Sequence, residues 1–152
     1  LVRNVNEFVA KLVVVFEDGF VAFVQSAPSV ANLSTGGFLR QLPPSFNVQS
    51  TPAWTWFFVT NHPDTGLQFP NGMIRALIQI DVYGMSQTSV SPLSYAIDLL
   101  LQGYVGPLGD ADGTTIQGCL RTDLMDEPFD PDSRVYRRML EYEVFYYAGV
   151  PS

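Results

Sequence analysis

Hydrophobic residues along this chain switch between a two-residue period and a helical one, and each switch marks an element. The clearest stretch begins at Met73. Ile74, Ala76, Ile78, Ile80 and Val82 recur at every second position and predict one buried sheet face, while Arg75, Gln79, Asp81 and Tyr83 occupy the other face together with Leu77. After Gly84 the period lengthens. Ser91 stands as an N-cap with Pro92 at the first helical position, and Gly103 stands where a C-terminal cap belongs, so the residues between them predict a helix.

Upstream, Val5, Phe8, Val9, Leu12, Val13 and Phe16 follow helical spacing, and Asn4 with Glu7 has the form of a capping box. The phase continues through Phe20, Phe23 and Val24, so the helix runs to about Ala27, where Pro28 ends it. Gly19 is tolerated at about 1 kcal/mol, and a stop at Asp18-Gly19 is the alternative. Residues 29–52 are mainly Ser, Thr, Gly, Pro, Asn and Gln, with one short strand at Phe38 to Leu42, and read as an extended arm or long loop. Ala53 to Thr60 carries Trp54, Trp56, Phe57, Phe58 and Val59, apolar on both faces, and predicts a central strand. His62-Pro63-Asp64-Thr65-Gly66 and Pro70-Asn71-Gly72 supply turn residues, giving a hairpin loop of about ten residues with Gln68 and Phe69 near its tip.

Beyond the second helix, Gly106-Pro107 and Gly109 to Gly113 break the pattern. A third strand follows, with Ile116, Leu120 and Leu124 on one face. Asp123, Asp126, Glu127, Asp130 and Asp132 then crowd a loop punctuated by Pro128 and Pro131. A fourth strand, Val135 to Tyr147, places Tyr136, Leu140, Tyr142, Val144 and Tyr146 on one face and Arg137, Met139, Glu141 and Glu143 on the other. The order predicts a single α+β domain over residues 1–152. Its antiparallel sheet, with a mixed sheet as the alternative, has about four main strands and two helices packed on one face.

Composition narrows the function classes. At 152 residues one core suffices. Hydrophobic residues make up 47% of the chain and charged residues 15%, so apolar surface must be hidden in a core or between subunits. A net charge of -7 has the wrong sign for gripping nucleic acid phosphates. The single Cys119 allows no internal disulfide and is expected to be a small buried residue. The apolar run Leu12 to Phe16 is too short to span a membrane.

Candidate chemistry is sparse. His62 beside Asp64 suggests a general base, but no Gly-x-Ser-x-Gly elbow provides a nucleophile. Asp110-x-Asp112-Gly113 resembles the opening of a calcium loop, yet Arg121 stands where the bidentate Glu is needed and Thr115 where the invariant Gly is needed. The acids of the 123–132 loop are followed by Arg134, Arg137 and Arg138, which favours salt links over a metal. No phosphate loop occurs. Trp54, Trp56, Tyr142, Tyr146 and Tyr147 lack the interleaved basic residues of a base-stacking surface and read as core. Two other classes stay open: a small enzyme using Asp81, Asp123 or His62, and a dimeric ligand-binding module.

Taken in order, Trp54-x-Trp56-Phe57-Phe58-Val59, then Arg75-x-Leu77-Ile78-Gln79-Ile80-Asp81-Val82-Tyr83 and a helix, then Cys119-Leu120-Arg121-Thr122-Asp123 and Asp130-x-Asp132-Ser133-Arg134-Val135-Tyr136-Arg137-Arg138 resemble the tail completion, or tail terminator, family of long-tailed bacteriophages. The likeness covers roughly Leu39 to Tyr147. It implies a non-enzymatic virion protein without a cofactor, forming a hexameric ring at the neck that caps the tail tube and joins it to the head connector or stopper. DNA passes through the lumen of such a ring without specific binding. The interface or lumen candidates are then His62, Asp64, Gln68 and Phe69 of the 62–72 hairpin, Asp126, Glu127, Asp130 and Asp132 of the acidic loop, and Arg134, Arg137 and Arg138 beyond it.

Overall fold

In a computed structural model the chain is described at residues 16–17, 19–34, 36–44, 46–48, 51–65, 70–109 and 113–147. The capping box at Asn4 and Glu7, the first helical turns before Phe16, the loop residues Gln68 and Phe69, and Asp110 to Asp112 lie outside the described residues. Helix α1 occupies 16–17 and 19–25, α2 is Pro28–Ala31 and α3 is Gln87–Leu101. The strands are β1 Gly37–Leu39, β2 Ala53–Thr65, β3 Pro70–Gly84, β4 Gly106–Pro107, β5 Thr115–Asp126 and β6 Tyr136–Tyr147. They form one six-stranded sheet in the order β1-β2-β3-β6-β5-β4, in which only β1 and β2 pair parallel. The α+β class holds, and the sheet is mixed.

Alternation along β3 and β6 builds the core. Ile74, Ala76, Ile78, Ile80 and Val82 of β3 are buried on the helix side, as are Leu140, Tyr142, Val144 and Tyr146 of β6. Val90, Leu93, Ala96, Ile97 and Leu101 of α3 close over them. The helical phase of α1 likewise delivers Phe16, Phe20 and Val24 to the core. There the Phe16 ring sits 4.5 Å from Tyr146 and 5.1 Å from Phe20, and Phe20 sits 4.6 Å from Trp56. Each such ring pair contributes about 0.5–1.5 kcal/mol beyond the area it buries. Gly19 is itself helical, so the helix does not stop there. It ends at Gln25, whose Oε1 accepts a 2.9 Å bond from Trp54 Nε1, and Pro28 opens α2.

Several sequence expectations are corrected. Helix α3 begins four residues before Ser91, because Ser86 and Ser89 form a reciprocal cap: Ser89 N–H donates to Ser86 Oγ (3.3 Å) and Ser86 N–H donates to Ser89 Oγ (3.2 Å). Pro92 therefore lies inside the helix. A proline there costs about 3 kcal/mol. Burying Val90, Leu93, Ile97 and Leu101 at about 1.5–3 kcal/mol each outweighs it. The C-terminal expectation holds, since Gly103 follows the Gln102 cap with φ +77°.

Strand β2 is not central. Only the three residues of β1 flank it on the outside, and β6 rather than β2 occupies the middle of the sheet. β6 does not close the sheet but inserts between β3 and β5, which chain order alone does not reveal. β2 also continues through His62 to Thr65, pairing His62 with Arg75, so only residues 66–69 separate it from β3. On β5 the single apolar face fails. Register shifts between Ile116 and Gly118 and between Arg121 and Asp123 re-aim the side chains, so that Cys119 turns inward while Leu120 and Leu124 are exposed. Within 29–52, Val30, Ser34 and Val48 are buried and Gly37 to Leu39 pair with β2.

A Cβ built on Gly37 would overlap the indole of buried Trp54. Gly37→Ala is expected to destabilise the fold by about 1–3 kcal/mol, read as a lowered denaturation midpoint; an unchanged midpoint would show that the indole is free to shift. Ser86→Ala should cost about 1 kcal/mol in the same measurement, with native secondary structure retained by circular dichroism.

Candidate functional site

The sheet has a helix-covered face and a second face built from the alternate residues of the same strands. On this second face Thr60 and His62 of β2, Arg75 and Leu77 of β3, and Glu143 and Phe145 of β6 border a hollow of about 630 Å³. Register explains the grouping, since His62 lies opposite Arg75 and Arg75 opposite Phe145. Arg75 Nη2 donates to Glu143 Oε2 at 3.1 Å, and its guanidinium lies 6.0 Å from the centre of the Phe145 ring. The hollow is thus polar at its rim and aromatic on one wall. His62 is exposed, and Asp64 lies one residue from the end of β2.

Further along the same face a buried carboxylate anchors the acidic loop. Asp81 is 3% exposed. It accepts both oxygens' worth of donation from Gln79 Nε2 (2.9 and 3.2 Å) and is 3.1 Å from Arg137 Nη2, whose Nη1 lies 3.0 Å from Glu127 Oε1. One guanidinium therefore spans a strand carboxylate and a loop carboxylate. Burial, and then the charge of Asp81, raise the Tyr83 hydroxyl above its ordinary pKa, keeping this tyrosine neutral beside the pair.

Arg138 does the corresponding work on the helix side. Its Nε and Nη2 donate to the two Asp126 oxygens at 2.6 and 3.3 Å, and its Nη1 donates to Ser94 Oγ of α3 at 3.0 Å. The hydrogen bonds from Arg138 hold the Asp126 carboxyl below the usual carboxylate range. Asp130 organises the loop tip by accepting from Ser133 Oγ (2.7 Å) and Asp132 N–H (3.0 Å), which also lowers its pKa. Arg134 takes φ +56° and returns its N–H to Asp130 O at 2.8 Å. Asp123 and Asp126, read as loop residues, belong to β5, because the strand keeps pairing with β6 up to Arg138; the foreseen salt links are present for Asp126 and Glu127, whereas Asp130 serves as a turn acceptor. Asp132 is exposed.

Nearby, Asp98 of α3 accepts from Tyr142 OH (2.8 Å) and Arg121 Nη1 (2.9 Å), and burial followed by that carboxylate pushes the Tyr142 pKa up. Burial pushes the Cys119 thiol up to about 12, so it is an inert core residue. Trp54, Trp56, Tyr142 and Tyr146 are fully buried, in agreement with the core reading, whereas Tyr147 is half-buried on the opposite face of β6. Among the described residues no three His, Cys, Asp or Glu side chains gather as a metal requires, and no helix is long and apolar enough to cross a membrane. Sequence reasoning placed Asp81 on an outer face but missed its burial. The available signal was its place between Gln79 and Tyr83 in an apolar strand, together with the Arg137-Arg138 pair in the last strand.

Arg137→Met would leave Asp81 buried without its cation and is expected to cost about 3 kcal/mol, with much of the loss restored by adding Asp81→Asn; equal stability of Arg137→Met and the parent in urea would refute the pairing. The Asp126 contribution is present above the ordinary carboxylate value of 3.8 and is lost as pH falls through its depressed folded value. Asp126→Asn should therefore flatten the loss of stability on acidification below that value, measured as thermal midpoint against pH.

No family model matches the chain, and no curated protein matches it. Its fold is similar to that of a chain in the solved structure of the virion of a native gene transfer agent particle, with a TM-score of 0.54 and 12% identity over 83% of this chain and 90% of that one. At that identity the likeness shows a shared fold.

Proposed function

We propose that this protein is a non-enzymatic structural component of a phage-like virion, and more specifically a tail terminator. In this reading copies form a ring, hexameric by the resemblance, that caps the tail tube at the neck and meets the head connector or stopper, with DNA passing through without specific binding. The fold shared with a chain of a gene transfer agent virion supports the coarser statement. The observation that carries the ring is the distribution of exposed apolar side chains. Leu39 and Val59 are 37% and 43% exposed on the β1–β2 side, Leu120, Leu124 and Met125 are 41–52% exposed on β5 at the other side, and Tyr95 and Leu99 are 65% and 66% exposed on α3. None of the described large hydrophobics of β3 or β6 is exposed.

Two unlike apolar flanks on one molecule suit a heterologous contact, which closes into a ring when the rotation allows. A monomer gains nothing from them. The net charge of -7 suits a conduit, because an acidic wall does not retain phosphates. The candidates at His62, Asp64 and the acidic loop are then wall or rim positions, with Asp132 the acid whose removal disturbs the loop least.

Negative-stain microscopy of the purified protein, alone at high concentration and mixed with tail tubes, tests the reading. Rings or capped tube ends are expected. A monodisperse monomer or dimer that leaves tube ends bare would overturn it. Substituting Tyr95→Ser together with Leu99→Ser should abolish rings or capping while leaving the circular dichroism of the monomer unchanged.

A further inference from the structure

The β5–β6 hairpin runs past the rest of the sheet. Gly84, the last residue of β3, pairs with Tyr136, so residues 127–135 have no third strand beside them among the described residues. The projection is nonetheless fixed in shape. Glu127 N–H donates to Arg137 O (3.0 Å), Asp130 bridges to Val135 and takes the Ser133 hydroxyl and the Asp132 N–H, and Arg137 and Arg138 tie down the base on the two faces. On this frame Phe129 is 48% exposed, between Pro128 and Pro131, which are exposed as well. Asp132 and Arg134 are exposed and enter no ion pair among the described residues. An aromatic ring held out on an ordered turn loses little freedom when it is covered, which suits it to be an anchor.

The hollow of about 630 Å³ toward the other end of the sheet is the matching shape, of a size that takes a compact group. Phe145 and Leu77 give it apolar surface. Arg75, whose side chain is 63% exposed, gives one of its five N–H donors to Glu143, and His62 stands exposed at the margin. Tip and hollow thus carry the same kinds of group with opposite signs: Asp130 and Asp132 against Arg75, Arg134 against Glu143, and one aromatic ring on each. Within one copy the two cannot meet. Val135, beside the tip, and Phe145, in the wall of the hollow, are ten residues apart along extended chain, about 33 Å. Two copies that each carry a net charge of -7 repel as wholes, so they approach where local charges are opposed.

We infer that the tip of the β5–β6 hairpin of one copy seats in the Arg75–Phe145 hollow of another, with Phe129 against Phe145, Asp132 toward Arg75 and Arg134 toward Glu143. The two surfaces are unlike, so every copy both inserts and receives. The contact uses none of the apolar flanks and does not rest on the ring reading.

The test uses full-length protein in two forms, Thr60→Cys at the margin of the hollow and Pro131→Cys at the tip, both at exposed positions, while Cys119 is buried. Mixed and oxidised, the two forms should give disulfides between unlike variants only. Adding Phe129→Ser to the tip form should lower the yield about tenfold at limiting concentration. Asp132→Arg in the tip form should lower it likewise, and Arg75→Glu in the hollow form should then restore it, with the circular dichroism of every form unchanged. A mixed disulfide indifferent to Phe129→Ser, or a loss with Asp132→Arg that Arg75→Glu does not recover, would overturn the seating. Disulfides between like variants would overturn it in favour of an isologous contact. Rings seen by microscopy without the mixed disulfide would overturn this contact and leave the ring reading standing.

Discussion

The pairing of β3 with β6 is the interaction on which the rest of the molecule depends. It runs without a bulge from Met73 opposite Tyr147 to Gly84 opposite Tyr136. A one-residue slip would turn Ile74, Ile78 and Ile80 to the helix-free face and bring Arg75 and Asp81 under α3, so the buried side chains fix the register. That register in turn places Arg137 beside Asp81 and Arg138 beneath Ser94, so the hairpin carrying the acidic loop is fastened on both faces of the sheet.

The outer strands are held less completely. Bulges interrupt both β2 and β5, while β1 and β4 are short. The sheet is thus regular in its centre and irregular at its flanks, and the exposed apolar side chains of its strands, Leu39, Val59, Leu120, Leu124 and Met125, follow the irregular parts. Regularity at the centre makes a rigid unit. In the proposed reading, bent flanks with apolar side chains are where such a unit would meet others.

Much of the centre was legible in the sequence because period-two alternation survives wherever a strand has neighbours on both sides. The helix-side faces of β3 and β6 read correctly, although β3 begins at Pro70 within residues read as a turn, and α1 keeps its helical phase from Phe16 to Val24. β5 did not, because a bulge changes the phase without changing composition, and nothing in the residue types at Gln117 or Thr122 announces one. The start of α3 was misplaced because Ser-Pro at 91–92 is a commoner cap signal than the Ser86–Ser89 reciprocal pair, and burial of the helix outweighed the proline. Spatial order was invisible for a different reason: that β6 enters between β3 and β5 is a property of the tertiary fold. For the candidate site, the salt links of the acidic loop could be anticipated from Arg137-Arg138. The hollow at His62 and Arg75 could not, since it depends on β2 continuing as strand through residues rich in turn formers.

The indole of Trp54, bonded to Gln25, and that of Trp56, packed against Phe20, are the only two in the chain and both are fully buried. Their emission therefore belongs to the interior and senses whether α1 is seated on the sheet. Tyr95, by contrast, stands 65% exposed on α3. The tryptophan signal thus reports on the core and on the seating of α1, and is blind to events on the exposed face of α3 where Tyr95 stands.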